Sequence, residues 1–379
     1  MLSVHITHTI IRGYANHQRM ERDVNRRRFL GASTLLIGAL AGCPGGQPEE
    51  TPATTPSPSP EETPTATPTP EEPMAEMGAE VTVRQESGKT VYWVLPGERR
   101  LSPTVFGTPD NPRFGADLLE FRIEQAKQLP EPLSNAIPQL LQDLPSLVAV
   151  PEQAREPVDS PIAHEKLTEP TLFSDNAQIT SGEFEVTYKD QRPYDRPGAP
   201  GDTPDEADLT ATFTDPAENE YELQLDHIVQ PPIPGYETGG GVMTGAWHHG
   251  VTGTGSPLMP KLFAYGAFWG VGNVLVNGEV ATEDGFRVIH FMTTQTVRDQ
   301  DYRLALDEEL PLPAESTIAG RAHHTHGVVL PIRPTPDGPV FDPVPTAFEL
   351  PNGNPQPFIH AMWEQEELVN SPFKQEMSG

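Results

Sequence analysis

Seven stretches between residues 180 and 372 alternate apolar and polar side chains, and Gly, Pro, Asn or Asp closes off each one. "GEFEVTYKD" alternates Phe184, Val186 and Tyr188. "ADLTATFTD" alternates Leu209, Ala211 and Phe213. "NEYELQLDHIVQ" runs through Tyr221, Leu223, Leu225, His227 and Val229. "KLFAYGAFWGVGNVLVNGEVAT", "FRVIHFMTTQTVRD", "HHTHGVVLPIRP" and "QPFIHAMWEQEEL" continue the series. A period of two is the side-chain repeat of an extended strand with one face buried. Seven or more such strands with Gly/Pro turns between them predict a mainly β domain: an antiparallel β-sandwich or barrel with one or two short helices. Asn277-Gly278 is the strongest turn signal, a two-residue hairpin.

The part before this core is less regular. "VTVRQESGKTVYWVL" reads as two short strands around a Ser-Gly turn. "GADLLEFRIEQAKQL" fits a strand through Leu119, Phe121 and Ile123, and a helix face through Leu119, Ile123 and Ala126. "SNAIPQLLQDL" reads as a short helix capped by Ser134, and 149–178 as polar and irregular.

The chemistry-bearing residues are histidines placed in phase with the apolar strand faces. Residues two apart in a strand share a face. His227 therefore lies with Leu223, Leu225 and Val229, and His290 with Val288 and Met292. His324 and His326 lie with Val328 and Leu330, and His360 with Phe358 and Met362. His323 has the opposite phase and is expected to point outward. A single histidine on an apolar face is ordinarily a hydrogen-bonded core residue. Several on separate strands of one core need a common solution, because a buried unpaired imidazole is costly. Neutral imidazole is the commonest metal ligand, so His227, His290, His324, His326 and His360 are the candidate metal ligands. Histidine with nearby methionine admits copper. Histidine with Glu364, which shares a face with His360 and Met362, admits zinc or iron, although Glu364 reads better as a rim residue. The glycine-rich stretch 235–260 reads as a surface loop, or as a lid that brings His248 or His249 to the site as an outer ligand or base. It contains no phosphate-binding loop, and the chain contains neither G-x-S-x-G nor H-E-x-x-H.

The first 78 residues carry an address. "NRRRFL" is followed by a 14-residue apolar run, Phe29 to Gly42, too short for an ordinary membrane span. It ends in Leu40-Ala41-Gly42-Cys43. Arg26 and Arg27 with Phe29-Leu30 resemble a twin-arginine (Tat) export signal, and the last four residues resemble a lipobox. The resemblance implies passage through the twin-arginine translocase, lipidation of Cys43, and a place on the extracytoplasmic face of the cell membrane. Met20 gives a more usual signal start than Met1, which sets His5, His8 and His17 aside from any site. Residues 44–73 hold ten prolines and seven threonines with no aromatic or large aliphatic residue, so they build no core. Held extended at about 3.1 Å per residue, this tether reaches roughly 90 Å. The organisation read from the sequence is a signal peptide over 1–42 and a lipidated linker over 43–78. A β-rich domain follows over 79–372, irregular in 79–175 with its β core in 176–372, and a tail closes the chain over 373–379.

The chain carries 25 Lys+Arg against 54 Asp+Glu, a formal charge of −29, and only six of the cations are lysine. Removing 1–42 takes away six cations and two anions, which brings the charge to −33. Such a surface resembles that of proteins from salt-in haloarchaea, where molar salt cuts the screening length to about 3 Å. It excludes a nucleic-acid partner, because phosphate binding needs a basic stripe. With Cys43 the sole cysteine, no disulfide staples the fold. The residues name no small-molecule or protein partner. Three functions fit: a membrane-anchored metal-binding lipoprotein, either a metal carrier or a metalloenzyme; a non-catalytic ligand-binding or adhesion domain with structural histidines; and a hydrolase of a type the motifs do not show.

Overall fold

The structure is a computed structural model, and it describes residues 79–191, 205–229, 241–252 and 255–373. The Arg26-Arg27 motif, Cys43 and the Pro/Thr tether lie outside the described residues.

Ten strands organise the domain: β1 (Ala79–Val94), β2 (Ala177–Asp190), β3 (Glu206–Thr214), β4 (Glu220–Ile228), β5 (Val242–His248), β6 (Leu262–Val276), β7 (Arg287–Gln295), β8 (His323–Leu330), β9 (Ile359–Trp363) and β10 (Glu367–Asn370). Eight of them close into an antiparallel barrel in the order β1-β2-β3-β4-β6-β7-β8-β9 and back to β1. β5 pairs with β6, and β10 with β1, outside that ring. All seven alternating stretches are strands. Asn277 and Gly278 both take positive φ, 51° and 81°, and reverse the chain at the end of β6.

The alternation decides what fills the barrel. Val81, Val83, Val91 and Trp93 of β1 meet Phe184, Val186 and Tyr188 of β2, Phe213 of β3, Tyr221 of β4, Phe291 of β7 and Trp363 of β9 in one cluster. Trp363 lies 4.9 Å from Phe184 and 5.3 Å from Phe291, ring centre to ring centre. Gly327 of β8 makes room for this packing: a Cβ there would stand 2.6 Å from the Phe291 ring. Stacked and edge-on aromatic pairs add about 0.5–1.5 kcal/mol each beyond area burial.

On β2 and β3 the alternate residues face solvent. On β7, β8 and β9 nearly every residue is buried, because a second layer covers that wall. Helices α1 (Ala116–Ala126) and α2 (Leu133–Asp143) pack Ala126, Ile137, Leu140 and Leu141 against Val328, Leu330 and Phe358. Met259, Val297 and Leu304 cover Met292 and Ala267 beside them.

Several local expectations need correction. Residues 79–94 form one strand, with an irregularity between Gln85 and Lys89 where a Ser-Gly turn was expected, because both halves pair with β2. The ambiguous stretch 115–129 is helical. α2 starts at Leu133 after Pro132 and has no side-chain cap, so Ser134 sits inside its first turn. The stretch 149–178 contains strands Arg155–Pro157 and Glu165–Thr171, which pair with each other. Within 235–260, β5 is a strand paired to β6 through Val242↔Phe268 and His248↔Leu262.

Candidate metal centre

Three adjacent strands line up their chemistry in rows. Met292 of β7 stands opposite His326 of β8, which stands opposite Met362 of β9. One step along, His290 stands opposite Val328, which stands opposite His360. Period-two phase puts these six residues on one face. It is the face opposite the aromatic barrel interior, so the cluster sits outside the barrel wall, under the covering layer. The sequence reading put the histidines on the inward apolar faces. Both faces of these strands are apolar, and the lumen is filled by Ile289, Phe291, Val329, Ile359 and Ala361.

The rings are close. His326 is 5.8 Å from His290, 5.5 Å from His360 and 5.8 Å from His324 between ring centres. Trp269 stacks on His290 at 4.2 Å, and Phe173 meets His360 edge-on. His326, His360 and His249, with Met259, Met292 and Met362, line a cavity of about 10 Å³, room for one water-sized sphere.

The hydrogen bonds state which nitrogen each ring offers. His290 Nδ1 bonds the Phe268 carbonyl at 2.8 Å, and His360 Nδ1 bonds the Leu172 carbonyl at 2.7 Å. A carbonyl only accepts, so in both rings Nδ1 carries the proton and Nε2 carries the lone pair. Nε2 of His326, His360 and His324 is buried with no hydrogen-bond partner. A carbonyl holding one nitrogen while the other is left free is the arrangement that metal-ligating histidines show. Burial keeps the rings neutral: it takes His290 down to about 4, His360 to about 3 and His326 well below 6.5. Among the described residues, no group of three or more His, Cys, Asp or Glu side chains is set as it would be around a metal ion. The imidazoles gather, but they do not close a nitrogen-and-carboxylate shell by themselves.

His248 and His249 join from β5. The chain reverses there through positive φ at His249 and Gly250, and the two rings stack edge-on at 5.4 Å. Gly255 closes against them: a Cβ there would lie 2.7 Å from His249 Nδ1. Both residues are buried, and His249 lines the cavity. Among the described residues, His249 Nδ1 and both nitrogens of His248 have no hydrogen-bond partner.

The remaining candidates do not line the cavity. His227 is apart from the cluster, its side chain 58% exposed and bonded to Asp226 at 2.7 Å. Its strand carries an extra residue at this point: Gly272 pairs with Leu225 while Val271 pairs with His227, so Asp226 bulges and the alternation changes phase. His324 is fully buried and bonds Glu364 Oε1 at 3.1 Å through Nδ1. Glu364 is 0% exposed and so is not a rim residue. Burial drives this carboxyl up to about 8 and the His324 ring down to about 3, which makes the pair a hydrogen bond between neutral partners. His323 has the opposite phase, as expected, yet it turns toward Tyr265 and bonds buried Glu366 at 3.0 Å instead of facing solvent. Sequence reading did not find Met259, Arg298 or Phe173, which come from loops and carry no periodic signal.

No protein-family model, curated protein or solved structure matches this chain.

Proposed function

We propose that this chain is a membrane-anchored, extracytoplasmic protein that holds one transition-metal ion between its barrel wall and the covering layer. His326 and His360 are the central ligands, and His290 and His249 are within reach. The observation that carries the reading is the pair of buried, unpartnered Nε2 atoms on His326 and His360, with the Nδ1 of His360 tied to a backbone carbonyl. A buried lone pair without a donor costs about 1–3 kcal/mol, and a metal ion satisfies several at once. Met292, His326, His360 and Met362, from three adjacent strands, line one small cavity and give such an ion a place.

The anchoring rests on the "NRRRFL" and Leu40-Ala41-Gly42-Cys43 signals. Metal binding is the activity that the site supports. Its ligands come from strands of one barrel wall, and its cavity takes one ion.

The test is metal analysis of the full chain purified in high salt after exposure to copper(I), zinc(II) and iron(II) in turn. One ion per chain is expected, and it should be absent from a folded His326→Gln/His360→Gln variant. A folded wild-type chain that retains none of the three overturns the reading and leaves the histidines structural. For the address, Cys43→Ser should move the protein out of the membrane fraction, and export that survives Arg26→Lys with Arg27→Lys would refute the twin-arginine route.

A further inference from the structure

The donor set around this cavity is unusual in what it lacks. Imidazoles and thioethers line it, and among the described residues no carboxylate or thiolate does. The charged side chain on its wall is Arg298, 1% exposed and paired with Asp175 at 3.0 Å. Glu364, the nearest carboxyl along β9's face, does not line the cavity and is bound to His324.

An ion in this cavity therefore meets only neutral ligands. Its charge must be carried into a dry, apolar setting with no anion to offset it. The cost of that transfer grows with the square of the charge. A divalent ion thus faces about four times the penalty of a monovalent one.

The thioethers point the same way. Met292 and Met362 flank His326 in register on both sides, and Met259 adds a third sulfur from the covering loop. Met362 Sδ accepts a hydrogen bond from Tyr302 Oη at 3.1 Å, which holds the sulfur in place. Soft, polarisable thioether sulfur selects copper(I) among the biological first-row ions.

We infer that the ion taken by this site is copper(I), held by imidazole nitrogen from His326 and His360 and by thioether sulfur from Met292 and Met362. The inference rests on the metal-binding reading above and adds the metal, its oxidation state and the sulfur ligands.

The test uses the full chain in molar KCl without oxygen, with ascorbate present. Copper(I) is titrated in competition with bicinchoninate, and zinc(II) is titrated separately. Copper(I) should bind one per chain and more tightly than zinc(II), with a sulfur shell in the copper X-ray absorption spectrum. Met292→Leu and Met362→Leu conserve volume and should keep the fold. The double variant should lose at least about 10-fold in copper(I) affinity and lose the sulfur shell, while zinc(II) affinity stays unchanged. Zinc(II) binding as tight as copper(I), or a double variant that keeps copper(I) affinity, overturns the copper(I) assignment while leaving a metal site. A folded wild-type chain that binds neither ion overturns both.

Discussion

His326 and Met362 stand directly opposite one another on neighbouring antiparallel strands, on the face away from the barrel interior. This single register contact sets an imidazole whose Nε2 has no partner beside a thioether, both under a closed apolar layer. Shifting the register of β9 by one residue would place Ala361 or Trp363 there and turn His360 and Met362 to the barrel interior.

His227 and His326 should therefore behave differently on substitution, although both lie in phase with apolar strand residues in the sequence. His227→Ala is expected to leave metal content unchanged and stability within about 0.5 kcal/mol, as for other exposed positions. His326→Ala is expected to abolish retention of metal through gel filtration. The opposite pattern would move the site to β4.

Stability of metal-stripped protein should peak near pH 6.5. The six buried histidines His248, His249, His290, His324, His326 and His360 are all lowered from 6.5 by burial. Below 6.5 the unfolded chain takes up protons that the folded chain refuses, so each ring removes about 1.4 kcal/mol of stability per pH unit. Glu364, Glu366 and Asp307 are raised by burial and act in the opposite direction. Six rings against three carboxyls give a net loss as the pH falls from 6.5 to 4.5. Urea midpoints across this range check it, and a flat profile would contradict burial of the neutral rings.

Glu364→Gln isolates the alkaline side. Glu364 keeps its proton up to about pH 8 in the folded chain but only to about 4.5 in the unfolded one, so it costs stability as the pH rises between them. Glutamine matches the shape of the protonated acid and does not ionise. The variant should equal wild type near pH 5 and exceed it by about 1–3 kcal/mol at pH 8 and above. Equal urea midpoints for the two proteins at pH 8 would show that the carboxyl is already ionised in its pocket.

The thermal midpoint should rise between dilute buffer and molar KCl. A formal charge of −29 is self-repelling, and salt shortens the reach of that repulsion from about 10 Å at 0.1 M to about 3 Å at 1 M. A midpoint indifferent to salt would remove repulsion as a determinant of this fold.

What the sequence determined by itself is what a period of two can encode. Phe184-Val186-Tyr188 on β2 and the residues around His290 on β7 mark their strands and their phase. Asn277-Gly278 marks its turn, because only residues that tolerate positive φ make it. The same local pattern states that His290, His326 and His360 share a kind of face. It cannot say which face, because β7, β8 and β9 are apolar on both sides and only the closing of the barrel makes one side the lumen. It could not show the extra residue at Asp226 that turns His227 to solvent. Nor could it show that strands more than thirty residues apart would set Met292, His326 and Met362 in one row. Strand neighbours, register and closure arise from contacts between distant segments, and those contacts brought Met259, Arg298 and Phe173 to the site from loops with no pattern to read.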